Sequence, residues 1–439
     1  MDSQELKKIA KEITRQGGKC FIVGGFVRDL AMGKESKDID VEVFGIDPKR
    51  LTQILRRFGK VSTVGKSFGV IKLTTKENDF DFSLPRRENK VGQGHKGFMV
   101  EFDETITPKE AARRRDFTFN AMSLDPETGK VIDFFGGMDD IEKRIIRATS
   151  EMFVQDPLRV LRGFQFAARF EMTVDAETAK MCQELKSEFH TLPKERIWEE
   201  WKKWAEKSTK PSMGLRFLVD TGWIEFFPEI EKMIGLAQDE TWHPEGNVFE
   251  HTCQSVDLAS GTVMRFAALC HDMGKVNTTQ VIDGKITSHG HDKAGEEMAQ
   301  TFMARIGAPK DLTEKVVALT GNHMFLGQVS QKTVRRLAHR VQPATIEELT
   351  ELMAIDKSAR GQGHMVVHPI AEKIREIAKV LHVESESPQP IIMGRHLIEM
   401  GMTPGPRFGE ILEMAFQAQL DGMFDSVESG MEFVETIVE

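Results

Sequence analysis

The run KDIDVEVFG, residues 37–45, sets Asp38, Asp40 and Glu42 at every second position of an otherwise apolar, β-branched stretch. Side chains of a strand alternate between faces, so the acids share one side and Ile39, Val41 and Val43 the other. Close carboxylates repel and resist desolvation unless a cation compensates. The pattern predicts a strand packed on a core by its apolar face, with Asp38 and Asp40 facing a cleft that holds a metal. Mg²⁺ suits such a place, because it takes oxygen ligands, commonly one or two carboxylates with substrate phosphates. Glu42 completes the alternation without a ligand role.

The device recurs in NDFDFS (78–83), where Asp79 and Asp81 lie opposite Phe80 and Phe82. Three carboxylates on neighbouring strands could hold two ions about 3.5–4 Å apart, an arrangement that activates a hydroxyl and stabilises a leaving pyrophosphate. Upstream, FIVGGFVRD (21–29) offers Gly24 and Gly25, whose backbone N–H groups can approach phosphate oxygens as a helix begins. Arg28 could reach phosphate there, with Asp29 to fix it. The acids come too soon after the glycines, and in alternation, for a dinucleotide-binding fold.

These motifs sit in a small mixed α/β unit that closes near residue 137. It comprises a helix at 5–16, a strand before Gly24, a helix in 47–59, and strands in FGVIKLTT (68–75) and NDFDFSLPR (78–86). The Gly- and charge-rich segment 86–97 is predicted to be mobile. Beyond DDIEKRIIRAT (139–149) the pattern turns helical, with helices at 156–169, 175–189 and 194–206, a break at KSTKPS (207–212) and a second helical region from about 248. The fold class is thus an α/β head with a small mixed sheet, followed by mostly α-helical domains.

At 439 residues, about two to four domains are expected. No run approaches 18 uninterrupted apolar residues, so no membrane span is expected, and MDSQELKKIAKEI is a charged amphipathic helix without a signal core. Cys20, Cys182, Cys253 and Cys270 form no CxxC and read as buried thiols of a reducing compartment, pointing to a cytoplasmic enzyme. A net charge of −9 argues against a long electrostatic embrace of nucleic acid, although basic residues cluster at 113–115 and 331–340. The second cluster reads as a solvated face.

In RRRDFTFNAM (113–122), Asp116 suits a helix N-cap, Arg114 and Arg115 can meet a triphosphate or ribose-phosphate, and Asn120 can meet a sugar hydroxyl. DPLRVLR (156–162) spaces Asp156, Arg159 and Arg162 along one side of a helix. A carboxylate acceptor beside a guanidinium fork can satisfy the Watson–Crick edge of C or A. Trp198, Trp201 and Trp204 read as packing rather than a base-stacking platform.

The tail half gathers His243, His251, His271, Asp272, His289, His291, His323 and Asp356. Imidazole and carboxylate from several helices suit Mn, Fe, Co, Ni or Zn better than Mg²⁺. Lys275, one turn beyond the His271–Asp272 pair, could steady a phosphate.

The blocks GGFVRD, KDIDVEVFG, RRRDFTFNAMSLD, VIDFFGGMDDIEKRIIRAT and DPLRVLRGFQFAARF, in this order over residues 20–235, resemble the head and neck of bacterial tRNA nucleotidyltransferases. These are the CCA-adding, class II members of the polymerase-β-like superfamily, and bacterial poly(A) polymerases share the blocks. The resemblance implies Mg²⁺ on Asp38 and Asp40 with Asp81 as third carboxylate, and a flexible loop near 86–110. It also implies nucleotide contacts from Gly24, Gly25, Arg28, Arg114, Arg115, Asp116, Asn120, Asp156, Arg159 and Arg162. The implied activity is addition of C, C and A from CTP and ATP to the tRNA 3′ end. Gln155 stands where the family usually has Glu, which leaves CC-adding and A-adding specialists as alternatives, along with a poly(A) polymerase and an RNA-binding protein with an inert head. The H…HD…D pattern resembles HD-domain phosphohydrolases, implying a transition metal (Ni²⁺, Mn²⁺, Zn²⁺ or Fe²⁺) on His251, His271, Asp272 and Asp356. A second metal on His291 and His323 would follow, with phosphatase or 2′,3′-cyclic phosphodiesterase activity. The expected boundaries are a head at 1–147, a neck at 148–240, an HD domain at 241–365 and a helical tail at 366–439, in a monomer or homodimer.

Overall fold

A computed structural model describes residues 4–36, 38–64, 70–90, 98–103, 105–325, 327–361 and 363–438. The chain divides into two compact units, Met1–Ile224 and Glu225–Glu439.

The first unit opens with helix α1 (Gln4–Arg15), strand β1 (Lys19–Val23), helix α2 (Gly25–Ala31), strand β2 (Asp40–Phe44) and helix α3 (Pro48–Leu55). Asp47 caps α3 by accepting from the N–H groups of Lys49 and Arg50, and Pro48 supplies a preset φ at its first position. Strands β3 (Lys60–Val64), β4 (Val70–Thr74) and β5 (Asp79–Ser83) follow. Next come β6 (Arg86–Lys90), β7 (Phe98–Phe102), α4 (Pro108–Arg113), β8 (Ser123–Leu124) and β9 (Val131–Ile132). The sheet runs β3-β4-β5-β2-β1-β8-β9. In it β2 and β5 are parallel and the other pairs antiparallel.

Alternation decides what this sheet buries. Val41, Val43, Leu73, Phe80 and Phe82 are fully buried with Ile9, Ile13 and Leu51 from α1 and α3. The intervening acids of β2 and β5 are left on the other face. Asp38 lies in the segment before β2 rather than within it, and Lys37 is outside the described residues. The expected mobile segment 86–97 is corrected in its first part: residues 86–90 pair as a strand with 98–102. Residues 91–97 lie outside the described residues. Strand β3 (KVSTV) escaped the sequence reading although Gly59 and Gly65 flank it.

Helix α5 (Gly137–Lys143) and strand β10 (Ile145–Ile146) lead into helix α6 (Leu158–Phe170); strand β11 (Thr173–Val174), paired parallel with β10, then precedes helices α7 (Ala176–Glu184), α8 (Lys194–Lys207) and α9 (Pro211–Asp220). Helix α6 is the hub. A Cβ on its Gly163 would sit 2.5 Å from the Phe217 ring of α9, so glycine there sets how closely the helices cross. Trp201 and Trp204 are fully buried against Phe164, with ring centroids 4.6 and 6.0 Å away, and Trp204 Nε1 donates to the Pro211 carbonyl. They are packing residues, as their spacing suggested.

The second unit is helical: α10 (Pro228–Glu231), α11 (Val248–Leu258), α12 (Thr262–Cys270), α13 (Lys275–Thr278), α14 (His291–Ile306), α15 (Lys310–Thr320), α16 (Gln331–Arg340), α17 (Ile346–Ser358), α18 (Pro369–Leu381), α19 (Gly394–Glu399), α20 (Pro406–Asp421) and α21 (Val427–Val438). One hairpin, β12 (Gln280–Ile282) with β13 (Lys285–Thr287), interrupts it. The hairpin was not anticipated, although Asp283-Gly284 between β-branched residues is a strong turn signal, and both residues take positive φ. The basic cluster at 331–340 is not simply solvated. Lys332 and Arg336 pair with Asp421 of α20, and the His339 ring meets Phe416 edge-on at 5.1 Å. All four cysteines are buried and free, and no helix among the described residues is long and apolar enough to cross a membrane.

Candidate transferase site and metal centre

Strand register builds the first site. Asp40 lies opposite Asp81 across the parallel β2–β5 pair, and opposite Val23 on β1. Gly24, the residue after Val23, therefore arrives beside Asp40. It has φ +73°, and a Cβ there would lie 3.3 Å from Arg115 Nη1 and 3.8 Å from Asp40 Oδ2. A side chain would fill the space at the acid's edge. Asp38, Asp40 and Asp81 line one open cavity of about 620 Å³. Asp79 faces it too, paired to Lys72 at 3.3 Å. Burial pushes the Asp40 carboxyl up; Arg115 opposes this, while Asp81 and Asp38 add to it. An all-oxygen donor set with crowded negative charge fits a hard divalent cation such as Mg²⁺. Glu42, given no role by its sequence position, holds Arg115 by a 3.2 Å ion pair and so stations that guanidinium next to Gly24.

A charged chain of hydrogen bonds runs from the glycine turn to α6. Arg28 is buried, donates to Asp29 through Nε at 2.8 Å, and donates to Asn120 Oδ1 through Nη1 at 2.8 Å. Its guanidinium also lies over the Phe166 and Phe170 rings. It sits beneath the turn as a brace rather than reaching outward. Asn120 Nδ2 donates to Asp116 Oδ1 at 3.0 Å, and Arg162 Nε donates to Asp116 Oδ2 at 2.6 Å. Asp116 is consequently not the N-cap its position suggested: burial turns it inward, where it accepts from Arg162, Asn120 and the Phe117 N–H. Burial pushes its carboxyl up, but Arg162 and these donors outweigh it and hold the group below the ordinary carboxylate range.

Asp156 and Arg159, expected side by side, have distinct engagements. Asp156 Oδ1 accepts from the Leu158 N–H at the start of α6. Arg159 donates to the carbonyls of Met152 at 2.8 Å and Arg114 at 2.7 Å, tying α6 to the Arg114–Arg115 segment.

The second site draws one or two groups from each of several helices. His251 comes from α11, His271 and Asp272 from the end of α12, His291 from the first residue of α14, His323 from just past α15 and Asp356 from α17. The sequence singled out all six, and the structure brings them together in two adjoining triads, His251–His271–Asp356 and Asp272–His291–His323. Asp272 spans both: Oδ2 is 3.3 Å from His271 Nε2 and 3.6 Å from His251 Nε2, while Oδ1 is 3.3 Å from His291 Nε2. Each ring is oriented through its other nitrogen. Nδ1 of His271, His291 and His323 lies 2.7–2.8 Å from the carbonyls of Ala268, Ser288 and Thr320. His251 Nδ1 lies 2.6 Å from Glu245. A carbonyl only accepts, so Nδ1 carries a proton in His271, His291 and His323, and Nε2 faces inward.

The Nε2 atoms confront one another, with those of His251 and His271 3.3 Å apart and those of His291 and His323 3.3 Å apart. Burial, with His271 nearby, holds His323 down to about 4, a neutral imidazole at ordinary pH. Burial disfavours charge on His251, but Asp356 and Glu245 outweigh it and hold that imidazole up at about 9, a demand for positive charge at this position. The donor chemistry fits a borderline transition metal, or two sharing Asp272. Lys275 donates to Asp272 Oδ2 at 2.7 Å and Gln238 Oε1 at 2.6 Å. Arg360 Nη2 pairs with Asp356 Oδ2 at 3.1 Å. Glu245, Gln238 and Arg360 were not foreseen. Only the His-x-Glu spacing at 243–245 hinted at Glu245, whose carboxylate also accepts from His243 at 2.8 Å.

A glycine turn beside paired strand carboxylates defines a nucleotidyltransferase head, and the histidine–aspartate centre an HD-type domain. Residues 20–147 match the family "Poly A polymerase head domain", 171–234 match "Probable RNA and SrmB- binding site of polymerase A", and 248–361 match "HD domain". The multifunctional CCA protein of Xanthomonas campestris pv. campestris is 31% identical over 415 residues, covering 90% of this chain and 97% of that one. That of Shewanella denitrificans is 35% identical over 315 residues, covering 70% and 74%. The chain belongs to the multifunctional CCA protein family. Its fold is that of the Bacillus stearothermophilus CCA-adding enzyme solved with CTP (TM-score 0.68, 20% identity, 100% and 98% coverage). It is likewise that of the Thermotoga maritima CCA-adding enzyme solved with tRNA (TM-score 0.59, 21% identity, 100% and 97% coverage).

Proposed function

We propose that this chain adds C, C and A to the 3′ end of tRNA from CTP and ATP, releasing pyrophosphate. The observation that carries the reading is the register that sets Asp40 opposite Asp81 and beside Gly24. Asp38, Asp40 and Asp81 would hold Mg²⁺, which supplies a lowered pKa at the tRNA 3′-hydroxyl and charge neutralisation at the α-phosphate. The 3′-oxygen forms the new bond to the α-phosphorus as the bond to the bridging oxygen breaks. Gly24 and Gly25 let backbone approach the triphosphate, Arg114 and Arg115 answer its charge, and Arg28 braces the turn from beneath. Asn120, Asp116 and Arg162 link that turn to α6, where Asp156 and Arg159 read the base. The head at 1–147, neck at 148–240, HD domain at 241–365 and tail at 366–439 form the working divisions. Transcripts ending before CCA, at C and at CC, each offered CTP or ATP alone, test the reading. Stepwise addition to all three is expected; extension of the CC end only would replace it with an A-adding enzyme, and failure beyond CC with a CC-adding one.

The six-residue centre favours a second reaction, hydrolysis of phosphomonoesters or 2′,3′-cyclic phosphodiesters. Ni²⁺, Mn²⁺, Zn²⁺ or Fe²⁺ held there supplies Lewis-acid activation of the phosphoester. Lys275, fixed between Asp272 and Gln238, adds positive charge beside the ligands. Metal analysis with bis-p-nitrophenyl phosphate as substrate tests this. Absence of both bound metal and turnover, even after Ni²⁺ or Mn²⁺ addition, would defeat it.

A further inference from the structure

The loop leading into the metal centre is a built element. The Ala237–Asn247 bridge and the Val248 N–H to Leu236 carbonyl bond close its base. Within it the Trp242 and His243 N–H groups both bond the Asp239 carbonyl, and Asp239 Oδ1 accepts from the Thr241 N–H. This ordered turn turns Glu245 inward onto His251 and holds Trp242 outward. Trp201, Trp204 and Trp223 are fully buried, whereas Trp242 is 67% exposed. Trp242 lines the same cavity, about 430 Å³, as Asp272, His291 and Asp356, so its ring is available to a molecule that enters there. That size lies within the range of small-molecule sites, roughly 300–1,000 Å³.

A second observation points to a ligand. Gln238, on the same loop and the same cavity, is 6% exposed. Its Oε1 is taken by Lys275, but its Nε2 has no hydrogen-bond partner. Buried N–H groups are nearly always satisfied, so an acceptor is wanting in this cavity. Lys285 on the hairpin and Arg360 add positive charge to its wall.

We infer that loop 236–247 forms a base-binding subsite at the mouth of the metal centre, with Trp242 stacking on a nucleobase and Gln238 Nε2 donating to a phosphoester oxygen. The centre then prefers phosphoesters that carry a base over those that do not. This rests on the phosphoesterase reading above, and its test separates the two. Metal-loaded protein is titrated with AMP and with glycerol phosphate while tryptophan fluorescence is followed, the W242F variant serving as control for the other indoles. Saturable quenching by AMP alone, lost in W242F, is expected. In turnover, W242A should reduce the preference for 2′,3′-cyclic AMP over bis-methyl phosphate by roughly tenfold, the scale of one base stacking on an aromatic ring, and W242F should retain most of it. Gln238→Glu keeps an acceptor for Lys275 but removes the donor, and should raise KM for both substrates. Hydrolysis of neither substrate by wild type defeats the phosphoesterase reading alone, because quenching reports the subsite without turnover. No Trp242-dependent quenching by AMP, or an unchanged preference in W242A, overturns the subsite.

Discussion

At position 24 one methyl group separates a working turn from a strained one. Gly24 combines φ +73° with a space bounded by Arg115 and Asp40. Gly24→Ala should destabilise the protein by about 1–3 kcal/mol, the cost of holding a side chain in a sparsely allowed backbone region. It should also weaken CTP binding as the Arg115 guanidinium is displaced. Urea melts and a CTP titration check both effects. Asp40→Ala should lower tRNA extension by roughly 10²-fold or more, as expected for losing a group that stabilises reaction charge, with hydrolysis in the second unit unchanged. Normal extension by that variant would remove Asp40 from the site. The acids were legible in the sequence because a period of two states a strand's faces outright. Arg115 as the neighbour of Gly24 was not, since its position depends on Glu42, a residue 73 places away in the chain.

Helix α6 is tied to the glycine turn through Arg162, Asp116, Asn120 and Arg28, and its glycine is its tolerance. Gly163→Val should push α6 from α9 against Phe217 and cost about 1–3 kcal/mol, an overpacking penalty measurable in thermal unfolding. The Asp116–Arg162 pair gives this element a pH signature. The folded Asp116 pKa lies below its unfolded value, so the stability it contributes is complete above the unfolded value, about 3.9, and is lost as pH falls towards the folded one. Asp116→Asn should therefore destabilise most at neutral pH, and the gap from wild type should narrow below about pH 4. Equal gaps at pH 7 and pH 3 would mean the carboxylate's charge is not what holds Arg162. Sequence reading placed α6 within two residues, because its apolar periodicity is unbroken. It took Asp116 for a cap because Ser, Thr, Asn and Asp before an apolar run carry that local meaning, and only tertiary burial distinguishes a cap from an anchor.

Across the whole chain two chemistries are kept apart by donor type. Carboxylates without imidazole line the cavity at Asp38, Asp40 and Asp81, whereas imidazole dominates the centre around Asp272. Chelation followed by Mg²⁺ should restore tRNA extension but not phosphoester hydrolysis, and Ni²⁺ or Mn²⁺ should then restore the latter. Asp272→Ala should abolish the hydrolysis with extension intact, measured on one preparation. Recovery of both activities by Mg²⁺ alone would contradict the donor argument. The histidine set was legible because six metal-type residues in an otherwise ordinary helical half are conspicuous. The loop residues that orient and rim it were not, since Gln, Trp and Glu acquire meaning only from what they face.

The backbone carbonyls that hold His271, His291 and His323 by Nδ1 also tell an engineer how to empty the centre without disturbing the fold. An asparagine amide nitrogen occupies nearly the place of an imidazole Nδ1–H, and nothing of asparagine extends to the place of Nε2. His323→Asn would keep the tether to Thr320 and withdraw only the ligand, giving a protein whose melting curve without metal matches its parent while its metal stoichiometry falls.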